Sequence, residues 1–355
     1  MRFHLTALIA LSLLPVEVAY ADDRVSGAAE PAAPAEPAVP AEPAAPAEPA
    51  AAAEPPTAGE PAPAAEPAAA AKPAAATAAE TDIPTVLSIG VTAYALTLVT
   101  HEGAGHALAC TMVDGFRNFS TSSAACASDN LSIGKLRFVT AAGSGANFLL
   151  GGGLAASLYL APGDDGPGYY FRWLSTATNL YLASGYLLMG PWFADSDFGT
   201  NGFLSGIDNP LFAQVGLSAL GALTLTASLF LVNDLAEPLF GDDPDARWDR
   251  QLHLTVWSYL AGAGLLSLSA LLNRDGTATS TALAFAANFG GTLFIAYTPL
   301  FFSSDFFYPS RDEAPPQGLA IARNYTWIAV GLASALTTFL VVGPGVGQYD
   351  RPLFR

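Results

Sequence analysis

Seven apolar stretches follow one another along this chain, and each is about as long as a helix must be to cross a bilayer. A transmembrane helix needs roughly 20 consecutive apolar residues. Turn-forming and charged residues, such as Asp208-Asn209-Pro210, separate the stretches. The pattern predicts an all-α polytopic membrane protein with about seven transmembrane helices. The stretches are residues 84–112, 136–161, 169–193, 211–233, 251–273, 280–303 and 320–343.

The composition excludes an ordinary soluble domain and a nucleic-acid partner. Of the 355 residues, 52% are hydrophobic and only 13% are charged, which is typical of integral membrane proteins. The net charge of −17 arises from 14 Lys and Arg against 31 Asp and Glu, so no basic surface is available for a phosphate backbone. We therefore expect the lipid bilayer, and no nucleic acid, as a partner.

The first 83 residues are expected to lie outside the helical body. Residues 1–21 combine Arg2, an apolar run from Leu5 to Leu14 and a small-residue cleavage site, which is the pattern of a signal peptide. The alternative is an uncleaved anchor helix, for which the apolar run is short. Residues 22–83 are rich in Ala, Glu and Pro, with a glutamate at regular intervals, and predict a disordered acidic spacer.

Export of this segment would set the orientation of the whole protein. Lysine and arginine are divided almost equally between the two sets of loops, so the charge distribution does not orient the helices. A signal peptide predicts a bacterial inner-membrane protein whose acidic segment is on the exported side. The loop after the first helix would then be cytoplasmic, and Cys110 and Cys126 would be free thiols in a reducing compartment.

Two histidines and a carboxylate lie inside the first predicted helix, at His101, Glu102 and His106. Ionisable side chains are costly within a bilayer and usually have a function there. Imidazoles that bind a metal ion, together with a carboxylate that accepts a proton from metal-bound water, would explain all three.

Residues 100–108 resemble the His-Glu-x-x-His-Ala-Leu motif of the site-2 protease family of intramembrane zinc metalloproteases. The resemblance implies that His101 and His106 bind zinc and that Glu102 is the general base. Here, however, the histidines are five residues apart instead of four. In a regular α-helix, residues four apart are separated by about 40° around the axis and residues five apart by about 140°, so a regular helix could not direct both imidazoles to one ion.

Two local arrangements would restore a chelating pair. A π-bulge accommodates one inserted residue, and the small residues 103–105, Gly-Ala-Gly, make that distortion sterically easy. Alternatively, Glu102 and His106, which are four residues apart, could chelate the ion. His101 would then contact a ligand instead of the ion itself. We favour the π-bulge.

The resemblance extends over the next two helices and so covers about residues 84–205, a three-helix metalloprotease-like core. Residues 142–147 correspond to the family's Gly-Pro-x-x-Asn pattern, with serine in place of proline. The third helix of the family is rich in Asn, contains Pro and ends in an Asp ligand. The resemblance therefore implies Asp197, which we favour, or Asp195 as the third zinc ligand. It also implies that Asn147 and Asn179 support the substrate or an oxyanion, although we favour the alternative in which both are interhelical hydrogen-bond donors.

The alternation of helix directions provides a test that is independent of the family. The end of the first helix, the start of the second and the end of the third must lie on one side of the membrane. His253 and Asp234 fall on the opposite side and are excluded as ligands. The required side holds His101, Glu102, His106, Asn147, Asp195 and Asp197.

The resemblance implies an intramembrane zinc metalloprotease that hydrolyses peptide bonds of membrane-anchored substrates. The last four helices, within residues 206–355, match no pattern and have no predicted role. A serine mechanism through Gly143-Ser144-Gly145 lacks a well-placed histidine later in the chain, because His253 falls on the opposite side of the membrane. The alternative from another class is a non-catalytic transporter or scaffold with a degenerate motif, in which His101 and His106 would lie on different helix faces.

Overall fold

The computed structural model describes residues 81–128, 130–163, 165–240, 244–273, 277–296 and 318–347. The predicted signal peptide, residues 1–21, lies outside the described residues, as does the predicted spacer up to residue 80. The sixth predicted apolar stretch, 280–303, is described only as far as residue 296.

Helices make up most of the described chain, and the described part of each of the seven predicted apolar stretches overlaps one of them. The first, α1, continues without a break through a π-helix into α2. The helices are α1 Ile83–Leu98, the π-helix Val99–Ala107, α2 Leu108–Val113, α3 Ile133–Leu160, α4 Gly166–Met189, α5 Leu211–Asp234, α6 Glu237–Phe240, α7 Pro244–Ala270, α8 Ala278–Phe285 with the π-helix Ala286–Gly291, and α9 Tyr325–Thr337 with the π-helix Thr338–Val342.

Three of the described helices are long and apolar enough to cross a membrane, namely the continuous helix Ile83–Val113, α5 and the helix Tyr325–Val342. This is compatible with an integral membrane protein, whereas the prediction of seven membrane-spanning helices is not confirmed. Helices α3, α4 and α7 are as long but less apolar, because they carry many polar residues.

Helix α4 shows how a long polar helix is accommodated. Most of its residues are buried, because it packs against α1, α3 and α5. Its large side chains pair their polar atoms with backbone carbonyls: Trp173 Nε1 donates to Val232 O at 2.9 Å, and Tyr170 OH donates to Leu254 O. A central helix of this kind can carry threonine and asparagine because those side chains find partners inside the protein.

The helices begin where capping residues occur in the sequence. Asp82 precedes α1 and accepts a hydrogen bond from Thr85 N at 3.0 Å, and Asp165 does the same for Gly168 N ahead of α4. Asn324 caps α9 in the same way. Each of these side chains satisfies an amide that would otherwise have no partner in the first turn.

A small antiparallel sheet follows α2 and packs against the π-helix Val99–Ala107. Its strands are β1 Phe116–Phe119, β2 Ala124–Cys126 and β3 Val346–Gly347, in the order β2-β1-β3. This sheet was not predicted from the sequence. Strands of four residues or fewer are too short to show the alternating pattern that identifies a strand.

Cys110 and Cys126 are joined by a disulfide, so the prediction that they are free thiols is wrong. Their Cα atoms are 4.9 Å apart, within the range that a disulfide requires. Gly115, with a φ of +103°, lets the chain turn from α2 into β1, and the β1–β2 hairpin then returns Cys126 to Cys110. The incorrect prediction followed from the expected cytoplasmic location of this loop.

Candidate metal centre

The π-helix Val99–Ala107 places His101 and His106 on the same side of the first long helix. In a π-helix the hydrogen bonds join residues five apart, so such residues lie roughly one above the other. At its end, the amide of Leu108 donates to the carbonyl of Gly103, five residues earlier. The imidazole centroids are 4.8 Å apart and the two Nε2 atoms 3.2 Å apart. The predicted π-helical distortion is therefore confirmed.

Three potential ligand atoms converge at this point. Asp197 Oδ2 lies 3.0 Å from His101 Nε2 and 3.2 Å from His106 Nε2. Tetrahedral zinc with bonds of 2.0–2.1 Å separates its ligand atoms by about 3.3–3.4 Å, and an octahedral ion with similar bonds separates neighbouring ligands by about 3.0 Å. The three atoms thus have the spacing of one face of a metal coordination shell.

The hydrogen bonds of Asn147 determine which nitrogen of His101 faces this point. Asn147 Nδ2 donates to Thr97 O at 3.1 Å and to Asn179 Oδ1 at 2.6 Å. Its Oδ1 is therefore the atom that lies 2.7 Å from His101 Nδ1, and Nδ1 is the donor. In the neutral imidazole, Nε2 then carries the lone pair.

His106 is held in the same tautomer by a backbone carbonyl. Its Nδ1 lies 2.7 Å from Val139 O, which can only accept, so Nδ1 is again the donor. Two unprotonated Nε2 atoms and the Asp197 carboxylate oxygen then point at one another, which is unfavourable unless a cation lies among them. Nδ1 donors of this kind are how proteins orient metal-binding histidines, so these residues fit a metal ion.

Gly143 on α3 leaves space next to the two imidazoles. A Cβ atom at this position would lie 2.4 Å from His106 Nε2 and 2.8 Å from His101 Nε2. A Cβ on Gly105 would lie 2.5 Å from the Cα of Gly143, so α3 and the π-helix approach closely only because both residues are glycine.

The neighbouring Ser144 Oγ is buried and has no hydrogen-bond partner among the described residues, so it has no base for a serine mechanism.

The loop after α4 supplies Asp197 and directs Asp195 elsewhere. Asp195 is exposed, and its Oδ1 accepts a hydrogen bond from Asn201 Nδ2 at 2.6 Å, whereas Asp197 Oδ2 faces the histidines. When a proton on His106 Nε2 takes the place of a metal ion, burial raises the pKa of the Asp197 carboxyl, but the charge of the protonated His106 and the hydrogen bonds with the imidazoles lower that pKa more strongly. The net pKa is below the ordinary value, which favours the anionic form that binds a cation.

Glu102 is buried, with 6% of its surface exposed, and its Oε2 has no hydrogen-bond partner in the part of the chain that the structure describes. It is not among the converging ligand atoms. The alternative in which Glu102 and His106 chelate the ion is therefore not found. The predicted role of Glu102 as a general base stays a prediction.

Asn147 and Asn179 form a network behind His101. Both are completely buried, and Asn179 Nδ2 donates to Thr97 Oγ1 at 2.9 Å, which in turn lies 2.7 Å from Thr178 Oγ1. These contacts position His101. Their predicted support of a substrate or an oxyanion stays a prediction.

Three residues near the centre have contacts that were not predicted from the sequence: Gly143, Tyr186 and Arg137. The ring of Tyr186 on α4 stacks on His101, with the centroids 4.6 Å apart. Gly143 belongs to the run that is similar to Gly-Pro-x-x-Asn, but the resemblance assigned it no role, and nothing marks Tyr186, because tyrosine recurs throughout the apolar stretches. Arg137 lies at the end of an apolar stretch, where a cation is common, so its contact could not be predicted either.

Arg137 fixes the loop that carries Asp197. Its Nε donates to Phe203 O at 2.9 Å and its Nη2 donates to Ser205 O at 3.0 Å. The amide of Phe203 donates to the carbonyl of Asp197 at 2.8 Å. Arg137 is therefore joined to the backbone of Asp197 through two successive hydrogen bonds.

We expect Arg137→Ala to weaken the predicted zinc binding by about 10- to 100-fold, the usual effect of removing a group that orients a ligand. Zinc affinity can be measured by competition with a chromophoric chelator. In an Asp197→Asn background the same substitution should have little further effect, because the ligand that it positions is already lost. Equal losses in both backgrounds would mean that Arg137 acts on the fold as a whole. Lys135→Ala is the matched control, because Lys135 donates to Val113 O.

The residues excluded by helix direction lie away from the centre. Asp234, at the end of α5, accepts a hydrogen bond from Tyr159 OH at 2.6 Å, and His253 on α7 is not part of the converging group.

No family model, curated protein or solved structure matches this chain. The resemblance to the site-2 protease family therefore rests on the motifs alone.

Proposed function

We propose that the protein is a zinc-dependent hydrolase that cleaves peptide bonds of membrane-anchored substrates. The observation that carries this proposal is the convergence of His101 Nε2, His106 Nε2 and Asp197 Oδ2 within 3.2 Å of one another. A helix clamp would have placed the two histidines on different faces, each bonded to a separate helix. Their convergence therefore favours a metal centre over the scaffold alternative.

The donor set and a neighbouring carboxylate support hydrolysis in particular. Two histidines and one carboxylate, with a fourth position open, are typical of catalytic zinc. The same donors also suit ferrous iron in oxygenases, but an iron oxygenase has no need of a buried carboxylate next to a ligand. Glu102 directly follows His101, is buried and has an unpartnered oxygen.

The protein residues would divide the work as follows. His101, His106 and Asp197 would hold the ion, with Asn147 and Val139 fixing the two imidazoles. When bound, zinc lowers the pKa of water and polarises a carbonyl group. Glu102 would accept the proton from the water that attacks the peptide carbonyl and return it to the departing amine.

The location of the centre supports a substrate that is anchored in the membrane. His101 lies well inside the continuous helix Ile83–Val113, one of the three helices that could cross a bilayer. In this proposal α3, α4, α7 and the helical residues 278–296 complete a seven-helix bundle in a bacterial inner membrane. Polar faces of those helices would be turned toward the bundle interior, as in α4.

The test is the metal content and activity of the purified wild-type protein. We expect elemental mass spectrometry to find about one zinc per chain. A strong chelator should remove that zinc, and added zinc should restore it. The protein should cleave members of a panel of single-span peptides in lipid nanodiscs. This cleavage should be lost when zinc is removed and restored when zinc is added back. Absence of bound metal would contradict the proposal, and stoichiometric zinc without cleavage of any peptide would favour a non-catalytic protein. Bound iron would favour an oxygenase.

A further inference from the structure

The disulfide lies at the same end of the first long helix as the metal centre. Cys110 is four residues after His106, and Cys126 is in strand β2, which packs against the π-helix. At the opposite end of this helix, Asp82 caps α1 and its carboxylate pairs with Arg323. Asp82 and Cys126 are therefore separated by one complete helix of 31 residues, Ile83–Val113.

The disulfide is also part of the packing that orients a metal ligand. Cys110, Cys126, Ala109 and Val139 form a small buried cluster. The carbonyl of Val139 accepts the hydrogen bond from His106 Nδ1. The oxidised cysteines thus belong to the same packed unit as the metal centre, and the folded form of this end of the protein includes the disulfide.

We infer that the end of the protein that holds the metal centre faces the oxidising, exported side of the membrane, and that Asp82, at the start of α1, lies on the reducing side. Structural disulfides form and persist in oxidising compartments and are rare in the cytosol. The lysines and arginines are divided almost equally between the two sides, so the positive-inside rule does not oppose this orientation.

The inference rests on the proposed function where it concerns the substrate. A centre on the exported side would act on membrane-anchored proteins whose scissile segment is presented from that side, and it would take its metal from the same compartment. This orientation also excludes export of the acidic residues just before Asp82, because a single membrane-crossing helix, Ile83–Val113, separates Asp82 from the disulfide. The run from Leu5 to Leu14 would then not export the residues that follow it.

Two cysteine reporters can measure this orientation in the absence of the disulfide. In a Cys110→Ser/Cys126→Ser background, Ala127→Cys introduces a thiol beside the sheet, and Ala161→Cys introduces one just after α3, at the far end. Both alanines are exposed. Because Ala127 precedes the first residue of α3, Ile133, and Ala161 follows its last residue, Leu160, the two reporters lie before and after one long helix and serve as controls for each other.

We expect a membrane-impermeant maleimide to label Ala127→Cys, but not Ala161→Cys, in right-side-out spheroplasts of expressing cells. In inverted membrane vesicles the labelling pattern should reverse. Labelling of Ala161→Cys alone in spheroplasts would overturn the inference. The labelling requires no metal or activity, so a protein without zinc that shows the expected pattern would refute the proposed function and leave the orientation intact.

The wild-type protein provides a second measurement if the serine variants fail to fold. Alkylation without a reductant should add no mass, and treatment of spheroplasts with an impermeant reductant followed by an impermeant maleimide should modify both cysteines. Thiols that react without reduction, with a permeant maleimide only, would show the opposite orientation. If the protein is active, an impermeant chelator should inhibit it in spheroplasts and leave inverted vesicles unaffected.

Discussion

Purified His106→Ala protein is expected to retain less than a tenth of the zinc bound by the wild type. Removing a group that merely orients a ligand weakens metal binding by about 10- to 100-fold, so loss of one of only three protein ligands should weaken it by more than about 100-fold. The remaining pair, His101 Nε2 and Asp197 Oδ2, are 3.0 Å apart and could still contact an ion, but two ligands hold it weakly. Zinc per chain, measured after dialysis against a mild chelator, is the readout.

Two further variants make this result specific. His253→Ala removes a histidine on α7 that is not part of the converging group, and it should leave the zinc content unchanged. Gly143→Ala keeps all three ligands but adds a methyl group next to both Nε2 atoms, and it should lower the affinity for zinc at least about tenfold. Full retention of zinc by His106→Ala would instead mean that His106 is not a ligand and that the zinc is bound by other residues.

The positions of the helices could be predicted because apolar runs and capping residues are local signals. Asp82, Asp165 and Asn324 precede helices in the sequence and cap them in the structure. The number of membrane spans could not be predicted in this way. Helix α4 is long and mostly buried, and a sequence does not reveal whether a helix faces lipid or other helices.

The candidate site was predictable to the extent that it lies on one helix. His101 and His106 are close in sequence, so their spacing and the small residues between them indicate a π-helix. The choice between Asp195 and Asp197 depends on a loop whose conformation is set by Arg137, a contact between residues more than 60 positions apart. Spacing alone carries no information about such a contact.

The disulfide was mispredicted for a related reason. Cys110 and Cys126 are 16 residues apart, and they meet because β1 and β2 form a hairpin of very short strands. Those strands leave no periodic signal in the sequence. The prediction therefore depended on compartment, which in turn depended on the N-terminal segment, and the contact itself now argues for the opposite orientation.

Glu102→Gln is expected to abolish hydrolysis while leaving the zinc content at the wild-type level. A positioned general base contributes about 10²- to 10⁴-fold to a rate, and glutamine has nearly the same shape but cannot accept the proton at neutral pH. Zinc should stay because Glu102 is not among the three converging ligand atoms. The measurement is the initial rate of cleavage of any peptide that the wild type cleaves, beside zinc per chain for the same preparation.

The combination of the two readouts is what distinguishes the role of Glu102. Loss of both zinc and activity would mean that Glu102 holds the ion, as in the alternative pairing with His106. Full activity with full zinc would mean that another group accepts the proton, and the assignment of Glu102 would be wrong. Because the side chain is buried and its Oε2 has no partner among the described residues, the substitution breaks no hydrogen bond of that oxygen. A change in rate at constant zinc would therefore report on the chemistry and not on the fold.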